Sequence, residues 1–192
     1  MKRLFFLTGL LLAVFGIAFA AQAAQVFDVD ATHSSANFKV GHLGIGYVTG
    51  GFTDIAGTIT LDKKNPKACS VDVTIKTGSV NTNDAKRDEH LRTPDFFDAA
   101  KYPEMSFKSA KVEKLKDGSY RVSGAYTLHG VTKKIVTRGK LVGEGKDMKG
   151  NTRAAFEAGF KIKRSEYGMT KMIPAAGDEV EITLVFEGIL KK

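Results

Sequence analysis

The segment RDEHLRTPDFFD (residues 87–98) concentrates side chains that can transfer protons or bind metal ions. Asp88 and His90 lie two positions apart, and Asp95 follows within the same segment. A histidine close to carboxylates is a common composition of a general acid–base site. Residues two apart on a helix point to different sides, however, so this spacing alone does not assemble such a site.

The histidines of the chain offer no metal-binding spacing. His33, His42, His90 and His129 form neither an HxH nor an HExxH pattern, and no cysteine pair is present to complete a site. The sequence therefore predicts no metal ion and no other cofactor. If the protein were an enzyme, the candidate catalytic residues would be His33, His42, His90, Asp88 and Asp95.

Nucleophilic catalysis finds little support in the sequence. His33 is followed by Ser34 and Ser35, but neighbouring residues on a strand point to opposite faces, and no G-x-S-x-G motif is present. Cys69, the only cysteine, shares its parity with Val71 and is expected to point inward as a small apolar residue. These residues therefore give no pattern that is typical of an enzyme.

Most of the chain around these residues is predicted to form strands. Apolar and polar residues alternate with period two along many short segments, which is typical of half-buried strands. The predicted strands are residues 26–30, 35–40, 55–62, 71–76, 105–113, 120–128, 131–142, 156–162 and 180–186. Turn sequences follow at residues 63–66, 116–119 and 145–151. This pattern predicts an all-β protein, a single antiparallel sandwich or barrel of roughly eight or nine strands.

Two stretches interrupt the alternation. The glycines of residues 41–52, GHLGIGYVTGGF, suit a close backbone approach or a short helix. Residues 83–102 predict a helical crossover, with one short helix over 84–91 and a second that begins at Thr93-Pro94-Asp95. Threonine can cap a helix, proline fits its first position, and aspartate favours its positive end.

The first residues predict export. Residues 1–23 combine a basic start, an apolar run and a small-residue cleavage site, as secretory signal peptides do. Residues 24–192 then form one domain with 27 basic and 21 acidic residues, a net charge of +6. The basic residues alternate with strand positions, which argues against nucleic-acid binding, although the charge is compatible with weak contact to an anionic membrane surface. Export predicts a location outside the cytoplasm, and an uncleaved N-terminal anchor is the alternative to a cleaved signal.

The inward positions of the predicted strands carry many aromatic side chains. Eight are expected to line the interior: Phe38, Phe52, Phe107, Tyr120, Tyr126, Phe156, Phe160 and Phe186. An eight-stranded barrel can be filled by its own side chains or can enclose a ligand cavity. Parity does not distinguish these alternatives, so a filled structural protein remains one interpretation.

The chain resembles the YceI family of bacterial secreted proteins. The resemblance rests on DATHSS (30–35), on RDEHLRTPDFFDAAKYP (87–103), on VSGAYTLHGVTKK (122–134) and on RSEYGM (164–169), in this order. It implies a lipocalin-like, extended antiparallel barrel in the periplasm. It further implies an apolar channel that in some members holds a polyisoprenoid chain, such as a quinone or prenyl lipid.

The resemblance favours a non-enzymatic carrier of a long isoprenoid-like lipid or quinone. It supplies no catalytic residues that could be transferred to this sequence. An enzyme acting on such a lipid, or a filled structural or stress-response protein, remains the alternative. Dimers are compatible with barrels of this kind, but no residue of the sequence argues for a homodimer.

Overall fold

The computed structural model describes residues 24–192, so the predicted signal peptide lies outside the described residues. Eleven strands and one α-helix occur in that part of the chain. They are β1 (Gln25–Val29), β2 (Ser35–His42), β3 (Gly46–Phe52), β4 (Ile55–Leu61), β5 (Ser70–Lys76), β6 (Val80–Asn81), α1 (Ala85–Arg92), β7 (Glu104–Lys114), β8 (Tyr120–Leu128), β9 (Val131–Lys146), β10 (Thr152–Lys163) and β11 (Ala176–Leu190). Short 3₁₀ turns connect several of them.

The strands form a closed antiparallel barrel. Their hydrogen-bonded order is β1-β4-β5-β7-β8-β9-β10-β11, and β1 pairs with β11 to complete the ring of eight. Phe27 of β1 lies opposite Leu190 of β11 on one side and opposite Ile59 of β4 on the other. Closure leaves no free edge in this part of the sheet. The prediction of an all-β, lipocalin-like barrel is confirmed.

Three further strands lengthen one side of the barrel. β2 continues along β11 where β1 stops, β3 pairs with β2, and the short β6 pairs with the end of β3. The end of the barrel at which β1 pairs with β11 is called the closed end. The opposite end, formed by the β2–β3 turn, α1 and residues 164–176, is called the mouth.

The glycine-rich segment forms the β2–β3 hairpin, so the alternative of a short helix was wrong. The other alternative, a close backbone approach, holds at Gly50. A Cβ atom there would lie 2.6 Å from both the Phe38 ring and the Thr82 methyl group. Only glycine lets these side chains cross β3 so closely. The alternation was hidden because glycines occupy inward positions on this strand.

The crossover contains one helix rather than two. α1 begins as predicted, since the Asp84 side chain accepts a hydrogen bond from the Arg87 backbone amide at 3.0 Å. The second helix was wrong, because residues 94–102 form successive turns. Thr93 ends α1 instead, with its hydroxyl donating to the His90 carbonyl at 2.7 Å. Asp98 has a φ of 47°, which interrupts any helix in this stretch.

Candidate apolar ligand-binding cavity

The interior of the barrel holds a cavity of about 600 Å³. Its walls are the inward positions of the strands, which alternate with exposed polar positions. Along β10 the lining extends from Phe156 to Ile162, six residue steps or roughly 20 Å of strand. The cavity is therefore an elongated channel between the closed end and the mouth.

All eight predicted aromatic residues line this cavity: Phe38, Phe52, Phe107, Tyr120, Tyr126, Phe156, Phe160 and Phe186. Strand parity fixed their inward direction correctly. Aliphatic side chains that the sequence analysis left out of the site complete the walls: Val73, Ile75, Ile135, Ile182 and Leu184. The same parity rule, applied to every inward position rather than to aromatics, would have found them. Contact of the eight aromatics with a ligand stays a prediction.

The aromatic rings are held against one another. Phe52 packs on Phe38 and on Phe97 of the crossover, with ring centroids 5.9 and 5.3 Å apart. Tyr126 packs edge-on against Phe160 at 5.5 Å. Its hydroxyl donates to the Met105 sulfur at 3.4 Å, and burial raises its pKa, so it stays neutral. These contacts fix the wall without placing a charge in it.

The closed end is filled by side chains. Phe27 is fully buried there, and its ring lies edge-on to Phe156 at a centroid distance of 6.0 Å. Five further buried side chains complete this cluster: Leu61, Val112, Tyr120, Val122 and Ala154. Phe27 and Ala154 do not line the cavity. The cluster therefore forms the floor of the channel.

Most charged side chains of the lining lie at the mouth, and Lys140 and Glu157 on β9 and β10 are the exceptions. Asp84, Lys86, Arg87 and His90 of the α1 region lie at this rim, and His42 of β2 lies there as well. Lys86 and His90 are exposed. A channel with apolar walls and a polar, accessible rim suits a ligand with a long apolar tail and a polar head group.

The crossover is fixed to the mouth by the polar residues of the segment 87–98. Asp88 is buried and accepts hydrogen bonds from the Thr82 amide at 2.8 Å and from the Thr82 hydroxyl at 2.6 Å. The Arg87 guanidinium donates to both the hydroxyl and the backbone carbonyl of Thr82. Leu91 and Phe97 pack on the apolar core. These contacts make Asp88 an anchor of the crossover.

Arg164 is a mouth residue that sequence reasoning missed. Its buried guanidinium donates to the backbone carbonyls of Gly177 at 2.9 Å and of Met169, Lys171 and Ala176 at 2.8 Å. Four bonds from one side chain hold the loop that borders the cavity. Arg164 belongs to RSEYGM, one of the segments that resemble the YceI family. No local pattern predicted that its hydrogen-bond partners would lie up to thirteen residues away.

The five candidate catalytic residues are dispersed. His33 lies beyond β1, where its ring contacts Asp30 at 2.8 Å, whereas His42 and His90 lie at the mouth. Asp95 forms an exposed pair with His90 at 3.0 Å. Asp88 uses its carboxylate on Thr82, as described above. No arrangement of nucleophile, base and orienting carboxylate unites these five residues.

One group of possible metal ligands occurs among residues 24–192: Asp30, His33 and Glu187. Arg153 already occupies this group, since its Nη1 donates to Asp30 at 2.8 Å and to Glu187 at 2.5 Å. Its Nε donates to Asp147 at 3.1 Å. The hydrogen bonds from Arg153 and then from His33 lower the pKa of Asp30 to about 2. The arrangement is an arginine-centred ion-pair network at the closed end.

Cys69 faces the cavity, as its parity predicted, but it is half-buried. Burial raises the pKa of its thiol, which favours the neutral form. A neutral thiol is a poor nucleophile. Cys69 therefore behaves as part of the apolar wall.

Within residues 24–192, no helix has the length and apolar character needed to cross a bilayer.

A closed eight-stranded antiparallel barrel with an apolar channel, filled at one end and polar at the rim of the other, is a lipocalin-like calyx.

The chain belongs to the YceI family. Residues 27–188 match the YceI-like domain. Protein YceI of Salmonella arizonae is 42% identical over 173 residues, which are 90% of this chain and 90% of that protein. The resemblance inferred from the sequence motifs is thereby confirmed.

Solved structures share the fold. The YCEI protein of Campylobacter jejuni superposes with a TM-score of 0.69 at 35% identity, over 79% of this chain and 90% of that one. A polyisoprenoid binding domain from Saccharophagus degradans superposes with a TM-score of 0.66 at 18% identity, over 86% of this chain and 98% of that one. At 18% identity the second likeness is one of fold.

Proposed function

We propose that the protein is a non-enzymatic carrier of a long apolar lipid of the isoprenoid type, such as a polyprenyl lipid or a quinone. The observation that carries this proposal is the channel itself, about 600 Å³ with apolar walls, in a barrel of eight strands. The polyisoprenoid binding domain of Saccharophagus degradans, with a similar fold, supports the choice of ligand class. The dispersal of the candidate catalytic residues supports a binding role.

The energetics favour recognition of the tail. Each buried methylene contributes about 0.8 kcal/mol, so one five-carbon isoprene unit offers roughly 4 kcal/mol before costs. Association costs of roughly 4–15 kcal/mol are then offset by a few units. Tail burial therefore supplies the affinity, while the polar rim near Arg87 and His90 selects the head group.

The ligand class can be tested by organic extraction of the full-length protein purified from its native host, followed by mass spectrometry. The expected result is a long apolar molecule from the wild-type protein. Leu184→Trp places a bulkier side chain in the channel and should sharply reduce the yield. Thr183→Trp is the matched control, because Thr183 is the next residue on β11 and points to solvent.

Two results would contradict the proposal. The wild-type protein could yield no apolar molecule, or Leu184→Trp could yield the same lipid in the same amount as Thr183→Trp. Circular dichroism of both variants checks that the barrel is folded.

The proposed site of action is the periplasm, reached through a cleavable signal peptide at residues 1–23. The apolar run and the small residues before Ala24 support this location. N-terminal sequencing of protein from the periplasmic fraction should begin at or near Ala24. Recovery of uncleaved protein only from the cytoplasm would overturn the assignment.

A further inference from the structure

Five exposed apolar side chains surround the mouth. Leu43 and Ile45 form the tip of the β2–β3 hairpin and Tyr47 follows on β3, with exposed fractions of 58%, 87% and 72%. Met172 and Ile173, also exposed, extend from the loop held by Arg164. These five residues are called the mouth patch. Several exposed large apolar side chains around one opening are a mark of an interaction site.

The mouth patch is continuous with the cavity. The Leu43 amide donates to the Ala175 carbonyl at 2.8 Å, which joins the hairpin tip to the loop. Met172 belongs both to the patch and to the cavity lining, and the adjacent His42 and Ala176 also line the cavity. A ligand entering past this rim would meet apolar side chains before it reached the channel.

The backbone of the mouth patch uses apolar residues where other types are usual. Leu43 has a φ of 53° and Met172 a φ of 63°, both in the left-handed region. Glycine and asparagine are the residues that turns ordinarily place there. At the closed end, the turns at residues 63–66, 116–119 and 147–151 consist mainly of lysine, aspartate, asparagine and glycine, with Met148 as a single apolar exception. Exposed apolar residues therefore predominate in the tips at the mouth, whereas Met148 is a single one at the closed end.

Basic side chains flank the mouth patch. The Lys39 ammonium lies 5.2 Å from the Tyr47 ring centroid, and Lys171 precedes Met172. Lys39 pairs with Glu181 and Lys171 pairs with Asp95. Both ion pairs are exposed and therefore weak, so other anions can replace the carboxylates. With a net charge of +6 over residues 24–192, the surface is complementary to an anionic lipid surface.

We propose that the mouth patch docks on an anionic phospholipid bilayer, with Leu43, Ile45 and Tyr47 inserted at the interface, so that the channel opens toward the membrane. This inference rests on the proposed function, because an isoprenoid-type ligand resides in a bilayer. Apolar side chains at the interfacial level and lysines at the head groups are the combination that holds peripheral proteins on membranes. The geometry lets a tail pass from lipid to channel with little exposure to water.

The test is flotation of the full mature chain with phosphatidylethanolamine–phosphatidylglycerol vesicles. The double variant Ile45→Ser, Tyr47→Ser should bind these vesicles about tenfold more weakly or worse than the wild type. The matched control is Val136→Ser, Val142→Ser, which removes two apolar side chains from the outer face of β9 that are 57% and 54% exposed. The control should float like the wild type.

A second readout separates docking from ligand binding. Fluorescence titration with Nile red, an apolar dye, should give the same affinity for the wild type and for both double variants. Leu184→Trp should lose Nile red binding yet still float. If Leu184→Trp bound the dye normally while the flotation difference persisted, the proposed function would fail and the docking surface would stand.

Three results would overturn the docking surface. The wild type could fail to float, or Ile45→Ser, Tyr47→Ser could float like the control. Light scattering could also show a wild-type dimer that this double variant alone dissociates, which would make the mouth patch an interface between two copies.

Discussion

The closed end and the mouth are built on the same strands but meet opposite requirements. On β10, Ala154 is buried in the filled cluster below the channel, whereas Ala158 and Phe160 border open space. On the neighbouring β11, the pairing partner is β1 at the closed end and β2 toward the mouth. The ring of eight strands is therefore completed where the interior is full. The channel extends from this closure toward the mouth, where β2 takes the place of β1 beside β11.

The two ends also use arginine differently. Arg153 at the closed end is surrounded by three carboxylates, from Asp30, Asp147 and Glu187. Arg164 at the mouth donates to backbone carbonyls instead. The first arrangement ties strands together through charge, and the second shapes a loop without adding acidic groups near the channel. The comparison indicates that stability is concentrated at one end and binding capacity at the other.

The largest test of this division is truncation of one phenylalanine at each end. Phe27→Ala removes a fully buried ring from the filled cluster and should lower the free energy of unfolding by about 3–5 kcal/mol. Phe160→Ala should cost less than half as much, because part of that ring already faces the cavity. Urea unfolding followed by circular dichroism measures both. Equal losses would show that the mouth half is as tightly packed as the closed end.

Enlarging an alanine at each end reverses the direction of the test. Ala154→Leu inserts volume into the filled cluster and should destabilise the protein by about 1–3 kcal/mol. Ala158→Leu, four residues along the same strand, extends into the channel and should leave stability unchanged or raise it by up to about 1 kcal/mol. Thermal melts compare the pair, and the affinity for Nile red should fall only for Ala158→Leu. A strongly destabilised Ala158→Leu protein would mean that the channel is not free volume.

Acid should weaken the closed end through Asp30. Its pKa is about 2 in the folded chain against an ordinary value of 3.8, chiefly because Arg153 donates to it. The folded state therefore binds the proton less readily. The resulting stabilisation is complete above about pH 4 and is lost as the pH falls through about 2, by roughly 2 kcal/mol in all.

The measurement is the free energy of unfolding between pH 5 and pH 2, for the wild type and for Asp30→Asn. The variant should be less stable at pH 5 and should show a flatter profile, with the two curves approaching each other at the acid end. Parallel curves across this range would contradict the assignment of Asp30 to the Arg153 network.

The alternation of inward and outward residues along the strands was the most informative pattern in the sequence. Alternation placed all eight aromatic residues correctly because, on a barrel strand, a residue's direction follows from its neighbour's. It could not decide whether the interior was hollow, since volume depends on how far opposite walls stand apart. Gly50 illustrates another limit, because its inward position carries no side chain that would reveal the strand β3.

Contacts remote in the sequence were beyond prediction. Thr93, Pro94 and Asp95 are residue types expected at the start of a helix. In the structure Thr93 instead caps the C-terminal end of α1. Arg164 finds its carbonyl partners only after the chain has turned through the loop at the mouth. In both cases the local sequence indicated a polar role. It predicted the wrong role for Thr93, and it did not indicate the partners of Arg164.

The smallest expected effect distinguishes the real helix start from the apparent one. Asp84→Ala removes the side chain that caps α1 and should cost about 1 kcal/mol, seen as a lower melting temperature. Asp95→Ala should leave the melting temperature unchanged, because its carboxylate makes only exposed pairs with His90 and Lys171. Screening by salt already weakens such pairs. A marked loss of stability in Asp95→Ala, together with no change in Asp84→Ala, would move the capping role to Asp95 and show that the crossover at the mouth is held mainly by its second half.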